Sequence, residues 1–326
     1  MQTILHNCCG LDVHKDSVVA CILKTSDVSV DGGNSEEVEK EIRVFGTFPN
    51  PLKELKDWLE SEGCHHVAME STGVYWHPVY DVLESAFGGD IALLVVNARH
   101  MRNVPGKKTD IKDAEWIAKL LRAGLLSGSF IPPHEIRELR QLTRYRKTIV
   151  QDITVQKNRI EKTLQSAGFK LSSFLSDIFG VSGRNLMNVL VKKGQLSRDD
   201  IEIETKRISA EKKDDIKRAV TGLLTKQQRD FLKLQLKRLD AELSHLNEVE
   251  RSITKLSAAF QDDIERLDTV PGIAKIAATA IIAEVGTDMS KFPTPEQFCS
   301  WAGVSPGDNM SAGKKKAPES PTETHT

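Results

Sequence analysis

The feature that most constrains this chain is a change of pattern at Ile131-Pro132-Pro133. Before about residue 127, short runs rich in β-branched residues alternate with helical periodicity; beyond it, strand signals nearly vanish. Strands are predicted over 18–23, 42–48, 66–69 and 91–96, with a turn at Asp31-Gly32-Gly33-Asn34. Asn50 can cap a helix that has Pro51 at its first position, and Leu52, Leu55, Trp58 and Leu59 recur at helical spacing. A second helix follows Thr72-Gly73, and a third is expected over about 110–125. The first third of the chain therefore reads as α/β and the remainder as all-α.

The all-α part opens on one long basic helix, 135–166. A second long helix covers 226–256, where Leu232, Leu236, Leu239, Leu243, Leu246, Val249, Ile253 and Leu256 step by fours and threes. Two such helices most simply form an antiparallel coiled-coil hairpin, with 171–225 as a smaller helical insert. Further on, Leu267-Asp268-Thr269-Val270-Pro271-Gly272-Ile273 leads into an Ala-rich helix, 274–284. This looks like a helix-hairpin-helix turn, in which backbone N–H groups at a helix N-terminus take a phosphate. Ala274 stands where a second glycine is usual, so a plain helix–helix corner remains the alternative. A short helix follows, with Thr294 as cap, Pro295 first inside and Gly303 just past its end. The last stretch, 317–326, is polar and Pro/Thr-rich and is expected to be disordered.

With 326 residues the chain is long enough for two or three domains. We divide it at 1–130, 131–262 and 263–316, followed by the tail. The net charge of -1 gives no global attraction to a polyanion, so such a partner needs a local basic patch. Between residues 134 and 170 nine basic residues face four acidic ones, an excess of five positive charges in which Arg140, Arg144 and Lys147 are the candidate phosphate contacts. The alternative is a merely solvated helical face. The five cysteines form no C-x-x-C pair, which points to reduced thiols. His65 and His66 are adjacent, so on a strand they face opposite ways and do not pair as ligands. The first residues lack the charged and apolar regions of a signal peptide, and the run 91–96 is too short to span a bilayer. The expectation is a soluble, cytoplasmic protein.

Four carboxylates carry the chemistry. Asp12 lies in Gly10-Leu11-Asp12-Val13-His14-Lys15, Glu70 in Ala68-Met69-Glu70-Ser71-Thr72-Gly73, and Asp110 and Asp113 in Lys108-Thr109-Asp110-Ile111-Lys112-Asp113-Ala114. Each sits where a strand ends or a helix begins. Taken alone, Asp12 is an ordinary turn former, and Asp110 with Asp113 an ordinary capping-box-like helix start. Glu70 is different: a charge directly after an apolar strand has no packing reason to be there. Three strands, then helix, strand, helix, strand, helix is the order of the ribonuclease H-like fold, which would gather all four at one sheet edge. Gathered carboxylates repel unless divalent cations neutralise them, and two Mg²⁺ roughly 4 Å apart are a standard device for cutting a phosphodiester.

The whole pattern resembles the DEDD transposases of bacterial insertion sequences, the "IS one-ten" family. The resemblance runs from about Gly10 to Lys316. It rests on the three acidic motifs, on Lys107-Lys108 before the third, on Val74-Tyr75-Trp76 after the second, on Val270-Pro271-Gly272-Ile273, and on Trp301-Ala302-Gly303-Val304-Ser305-Pro306-Gly307 with Asn309-Met310-Ser311-Ala312-Gly313-Lys314. It implies a RuvC-like N-terminal domain, a metal-binding tetrad of Asp12, Glu70, Asp110 and Asp113, and Ser311 as the nucleophile that leaves a phosphoserine link to DNA. Nucleic acid would be held by Lys107, Lys108, Gly272, Lys314 and Lys315 besides the basic helix. The resemblance further implies a structured guide RNA from the same element; a homo-oligomer, dimer or tetramer, is also expected.

One departure stands out. Where members of that family continue with Arg/Gly-rich and helical sequence, this chain has Ala317-Pro318-Glu319-Ser320-Pro321 and a Thr-rich end, which reads as a truncation that impairs strand exchange. The alternatives are a non-catalytic nucleic-acid-binding remnant and an actin-like ATPase. The ATPase would need Gly-rich nucleotide loops, and none occurs between Leu125 and Val270.

Overall fold

The computed structural model describes residues 4–30, 33–71, 73–87, 90–97, 110–206, 209–220, 222–304, 310–311 and 314–315. The chain forms two compact units, Met1–Ile131 with Lys291–Thr326, and Pro132–Ser290. The first unit begins β1 (Asn7–Val13), β2 (Ser17–Val30), β3 (Gly33–Gly46), α1 (Pro49–Ser61), β4 (His66–Glu70), α2 (Trp76–Phe87), β5 (Ala92–Val96) and α3 (Asp110–Arg122). Its sheet has the order β3-β2-β1-β4-β5. The first three strands pair antiparallel, while β4 runs parallel to β1 and β5 parallel to β4. Parallel neighbours need a crossover connection, which α1 and α2 supply. This is the ribonuclease H-like order that the sequence predicts.

β2 and β3 outrun their β-branched stretches because pairing continues to Val30↔Gly33; Asp31 and Gly32 of the expected turn lie outside the described residues. Helix α1 starts at Pro49, not Pro51. Either proline suits a helix N-terminus, and the extended backbone of Phe48 sets the start at the earlier one.

Both faces of the sheet are covered. Cys9, Leu11, Val13, Val18, Ala20, Ile22, Val67, Met69 and Val95 pack against Leu52, Leu55, Trp58 and Leu59 of α1 and Val79 and Leu83 of α2. On the opposite face Cys8, Val19, Cys21, Leu23, Ala68 and Val96 meet Ala114, Ile117, Ala118 and Leu121 of α3. Side chains alternate along a strand, so these two lists fix which way every residue of β1 and β4 points.

The second unit holds α4 (His134–Ser166), α5 (Val181–Lys193), α6 (Arg198–Glu204), α7 (Ala210–Ala219), α8 (Lys226–Ser257), α9 (Gln261–Asp268) and α10 (Lys275–Val285). Helices α4 and α8 are antiparallel. Arg146 of α4 reaches Glu250 at 2.7 Å, and ten residues on, Gln156 Nε2 donates to the Gln235 carbonyl at 3.2 Å. Leu232, Leu236, Leu239, Val249 and Ile253 of the seam are buried, whereas Leu243 is 37% exposed. Helices α5, α6 and α7 add Leu186, Met187, Leu190, Ile201 and Ile216 to the same core. Helices α9 and α10 close on α4 through Ile264, Ala278, Ile282 and Ile136. Among the described residues no helix is long and apolar enough to cross a membrane.

The returning segment of the first unit carries α11 (Pro295–Trp301), capped by Thr294, whose Oγ1 accepts from Gln297 N at 3.3 Å. Phe130, Phe292, Phe298 and Trp301 form one ring cluster with centroids 5.2 to 6.1 Å apart. Beyond it, β6 (Met310–Ser311) and β7 (Lys314–Lys315) pair as a minimal antiparallel hairpin.

Candidate active site

Strand register brings the first two carboxylates together. Leu11 pairs with Met69 across the parallel strands β1 and β4, so the next residues along, Asp12 and Glu70, stand side by side about 4.8 Å apart in backbone position. Leu11 and Met69 face the α1/α2 core, so alternation turns Asp12 and Glu70 to the face covered by α3. Asp12 is 6% exposed, and Glu70, the last residue of β4, is half-buried.

Helix α3 brings the other two toward the same edge. It runs antiparallel to β1: the amides of Ile4 and Leu5 donate to the Arg122 carbonyl at 2.9 and 3.1 Å, and Cys8 Sγ donates to the Ala118 carbonyl at 3.5 Å. Gly10 then lies against Ala114 and Ala118 so closely that a β-carbon there would stand 2.3 Å from the Ala114 oxygen. Each step forward along β1 is a step back along α3, which puts the first turn of the helix at the Asp12 end. Asp113 is half-buried there, and Asp110 opens the helix. The positive end of the helix dipole thus points into the acidic edge and offsets part of its charge.

His14 is a residue whose role the sequence reading missed. Its Nε2 lies 3.2 Å from Asp12 Oδ2, and its amide donates to the Ser17 carbonyl at 2.8 Å to close the β1–β2 turn. The signal was present: positions 12 and 14 are two apart, so they share a face of an extended chain. Next to it, Thr47 Oγ1 donates to the Lys15 carbonyl at 2.8 Å, and Lys15 itself is exposed.

The carboxylates at this edge offer oxygen donors, the hard kind that Mg²⁺ and Mn²⁺ take, with the His14 imidazole beside them. Thiols do not compete, because burial pushes Cys8 and Cys64 up to about 12 and Cys21 up to about 11. Among the described residues no three His, Cys, Asp or Glu side chains are drawn close enough to hold an ion.

The remaining candidates are Ser311, Lys107, Lys108, Lys314, Lys315, Gly272 and the basic helix. Ser311 is the register partner of Lys314, and Met310 that of Lys315. The side chains of Ser311, Lys314, Lys315 and Asp110, and all of Lys107 and Lys108, lie outside the described residues. Gly272 takes a φ of +92° between α9 and α10, a left-handed backbone that favours glycine, and open space lies where its side chain would be.

Arg140 is turned inward. Its Nε donates to the Ala283 carbonyl at 3.1 Å and its Nη2 to the Glu284 carbonyl at 2.6 Å. Burial pulls its proton affinity below the usual value, with Glu284 opposing. Arg144 makes a two-point pair with the Glu284 carboxylate at 2.8 and 2.9 Å, which raises its own proton affinity. These two arginines bind the last turn of α10, while Lys147 is exposed.

Two family models match this chain. A transposase family model of the DEDD type, DEDD_Tnp_IS110, matches residues 9–169. A second, described as Transposase IS116/IS110/IS902 family, matches residues 264–324 and so extends past Lys316. Together they span more than half of the 326 residues. A search of curated proteins finds none that matches. Among solved structures the chain is similar to Thermus thermophilus RuvC, at 10% identity and a TM-score of 0.28, over 38% of this chain and 99% of that one. It is likewise similar to T. thermophilus RuvC in complex with a Holliday junction substrate, at 10% identity and a TM-score of 0.27, over 38% and 100%.

Proposed function

Because the chain belongs to the Transposase IS116/IS110/IS902 family and is thereby a DNA transposase, we propose that its acidic edge cuts DNA with divalent metal and that Ser311 receives the cut strand. The observation that carries this is the Leu11↔Met69 register, which sets Asp12 beside Glu70 at the edge that α3 approaches with Asp113.

Asp12, Glu70, Asp110 and Asp113 are the residues that would hold Mg²⁺. Divalent metal held there would supply positive charge to neutralise what builds on a phosphodiester as it is cut. The chain's own groups do the positioning. His14 and the buried setting hold the Asp12 carboxylate in one orientation. The N-terminus of α3 lowers the repulsion among the acids. The Ser311 hydroxyl attacks phosphorus: its Oγ–P bond forms as a P–O bond of the backbone breaks, and the departing strand oxygen takes the proton that Ser311 gives up. The hairpin register sets Lys314 opposite Ser311, where an ammonium group would steady the scissile phosphate.

Lys107, Lys108, Lys147, Gly272 and Lys315 are further nucleic-acid contacts in this reading. The structured RNA partner and assembly as a homo-oligomer belong to it too, and they rest on the family resemblance. The test is a covalent adduct. With donor DNA, an RNA from the same element and Mg²⁺, the full chain should form a protein–DNA species that is stable to denaturant and absent in Ser311→Ala. An adduct that persists in Ser311→Ala would remove the serine from the mechanism. Binding without any adduct would leave the chain a non-catalytic nucleic-acid-binding protein.

A further inference from the structure

Three exposed apolar side chains stand in the two loops that lead away from the acidic edge. Phe48 is 76% exposed, Val74 68% and Tyr75 40%. Phe48 lies between β3 and α1. The end of β3, Gly46, pairs with Ser17 just past the His14–Lys15 turn, and Thr47 is tied to Lys15 by its hydroxyl. Val74 and Tyr75 lie between Glu70 and α2. The Tyr75 ring is backed by Gly73, 3.9 Å from where a β-carbon on that glycine would stand.

Helix packing does not account for these positions. Helix α1 buries Leu52, Leu55, Trp58 and Leu59, and α2 buries Trp76, Val79, Tyr80, Leu83 and Phe87, which leaves Phe48 and Tyr75 outside both cores. Single exposed apolar residues are ordinary on any surface. What distinguishes these is a shared location: they flank the same sheet edge, with the exposed cation of Lys15 between them. The loops rise from β3 and β4, three strand spacings or roughly 14 Å apart, with β2 and β1, the strand of Asp12, between them. Aromatic side chains interleaved with a cation at that spacing suit a few successive nucleotides of a single strand, whose bases stack while the phosphates face the cation.

We propose that Phe48, Val74 and Tyr75 form a stacking rim that takes unpaired DNA bases on either side of the acidic edge. Paired bases keep their faces covered by their neighbours, so only an unstacked base can use this rim. The substrate class that follows is branched or melted DNA, with closed duplex disfavoured. This rests on the DNA-cutting reading above, but it assigns a different job to different residues.

The experiment uses the full chain in EDTA, so that no cutting intervenes. The probe is a synthetic branched duplex with 2-aminopurine in its unpaired segment, followed at once by fluorescence and by anisotropy. Wild type should quench the 2-aminopurine and bind the branched probe at least fivefold more tightly than closed duplex. Phe48→Ala and Tyr75→Ala should each lose most of the quenching and that preference, and Tyr75→Phe should keep both. All three should melt as wild type does. Phe48→Ser is an independent variant, since residue 48 precedes the helix and its side chain is out of the core. Alanine variants that quench and discriminate like wild type would overturn the rim while leaving DNA cutting intact. Quenching of an unpaired RNA of the same length but not of the DNA would overturn the assignment to DNA. A wild type that binds no DNA at all would overturn both this inference and the reading beneath it.

Discussion

Gly10 and Ala114 are in contact, backbone to backbone: a β-carbon on Gly10 would sit 2.3 Å from the Ala114 carbonyl oxygen and 2.4 Å from the Ala118 nitrogen. Neither atom can yield without moving α3. The same contact sets how far the Asp113 turn stands from Asp12, so a packing requirement and a site requirement meet in one glycine. Gly10→Ala should destabilise the first unit by about 3 kcal/mol, the upper end of overpacking costs. It should also abolish metal-dependent cutting even where the chain still folds. Urea unfolding together with a nicking assay checks this, and a variant with native stability would show that α3 is free to shift.

Arg140 and Lys147 of α4 differ in surroundings: the first is bound to α10, the second is exposed. Arg140 satisfies the last carbonyls of α10 and is shielded, so Arg140→Ala should cost the second unit about 2 kcal/mol, as expected for hydrogen bonds from a charged donor. The slope of log affinity for DNA against log salt should stay as it was. Lys147→Ala should do the reverse: stability within about 0.5 kcal/mol of wild type and a salt slope shallower by about one. Urea unfolding and a salt titration on each variant decide it. An Arg140→Ala chain of native stability with a flattened slope would return that guanidinium to DNA binding.

Much of this architecture is legible in local patterns. The Leu232–Leu236–Leu239 seam and the Thr294-Pro295 helix start each rest on residues within a few positions of one another, and each stands where the sequence predicts it. The edge that gathers Asp12 and Glu70 was legible because strand order and alternation follow from the same short-range signals. What the sequence could not show depends on distant partners. Nothing near Arg140 or Arg144 announces that Glu284, more than 130 residues on, will engage them. Gly10 is likewise explained only by Ala114, a hundred residues away. The start of α1 was misplaced by two residues because Pro49 and Pro51 are equally good openings, and only the extended Phe48 decides between them.

The second unit carries a built-in acid sensitivity at Asp200. Its carboxylate takes Lys193 Nζ at 2.6 Å and both the hydroxyl and the amide of Ser197 at 2.7 and 3.0 Å, which hold it down to about 2. The folded value lies below the unfolded one of about 3.9, so this stabilisation is complete above about pH 5 and is lost as pH falls from about 4 toward 2. Lys193 is well exposed, which reduces the effect to about 1–2 kcal/mol at pH 7. Asp200→Asn should therefore be less stable than wild type by that amount at pH 7 and equal to it near pH 2. Urea unfolding at the two pH values measures the gap, and a gap that persists in acid would assign it to packing and not to the charge.

In the function proposed above, the side-by-side acids of β1 and β4 are a metal-dependent DNA-cutting centre. The most direct measurement is nicking of a branched DNA by the full chain as Mg²⁺ or Mn²⁺ is titrated, compared across Asp12→Asn, Glu70→Gln and Asp113→Asn. Each variant should fold and bind DNA as wild type does, yet cut at least a hundredfold more slowly at every metal concentration, with EDTA silencing wild type. Cutting by Asp12→Asn at the wild-type rate, or by wild type in EDTA, would contradict it.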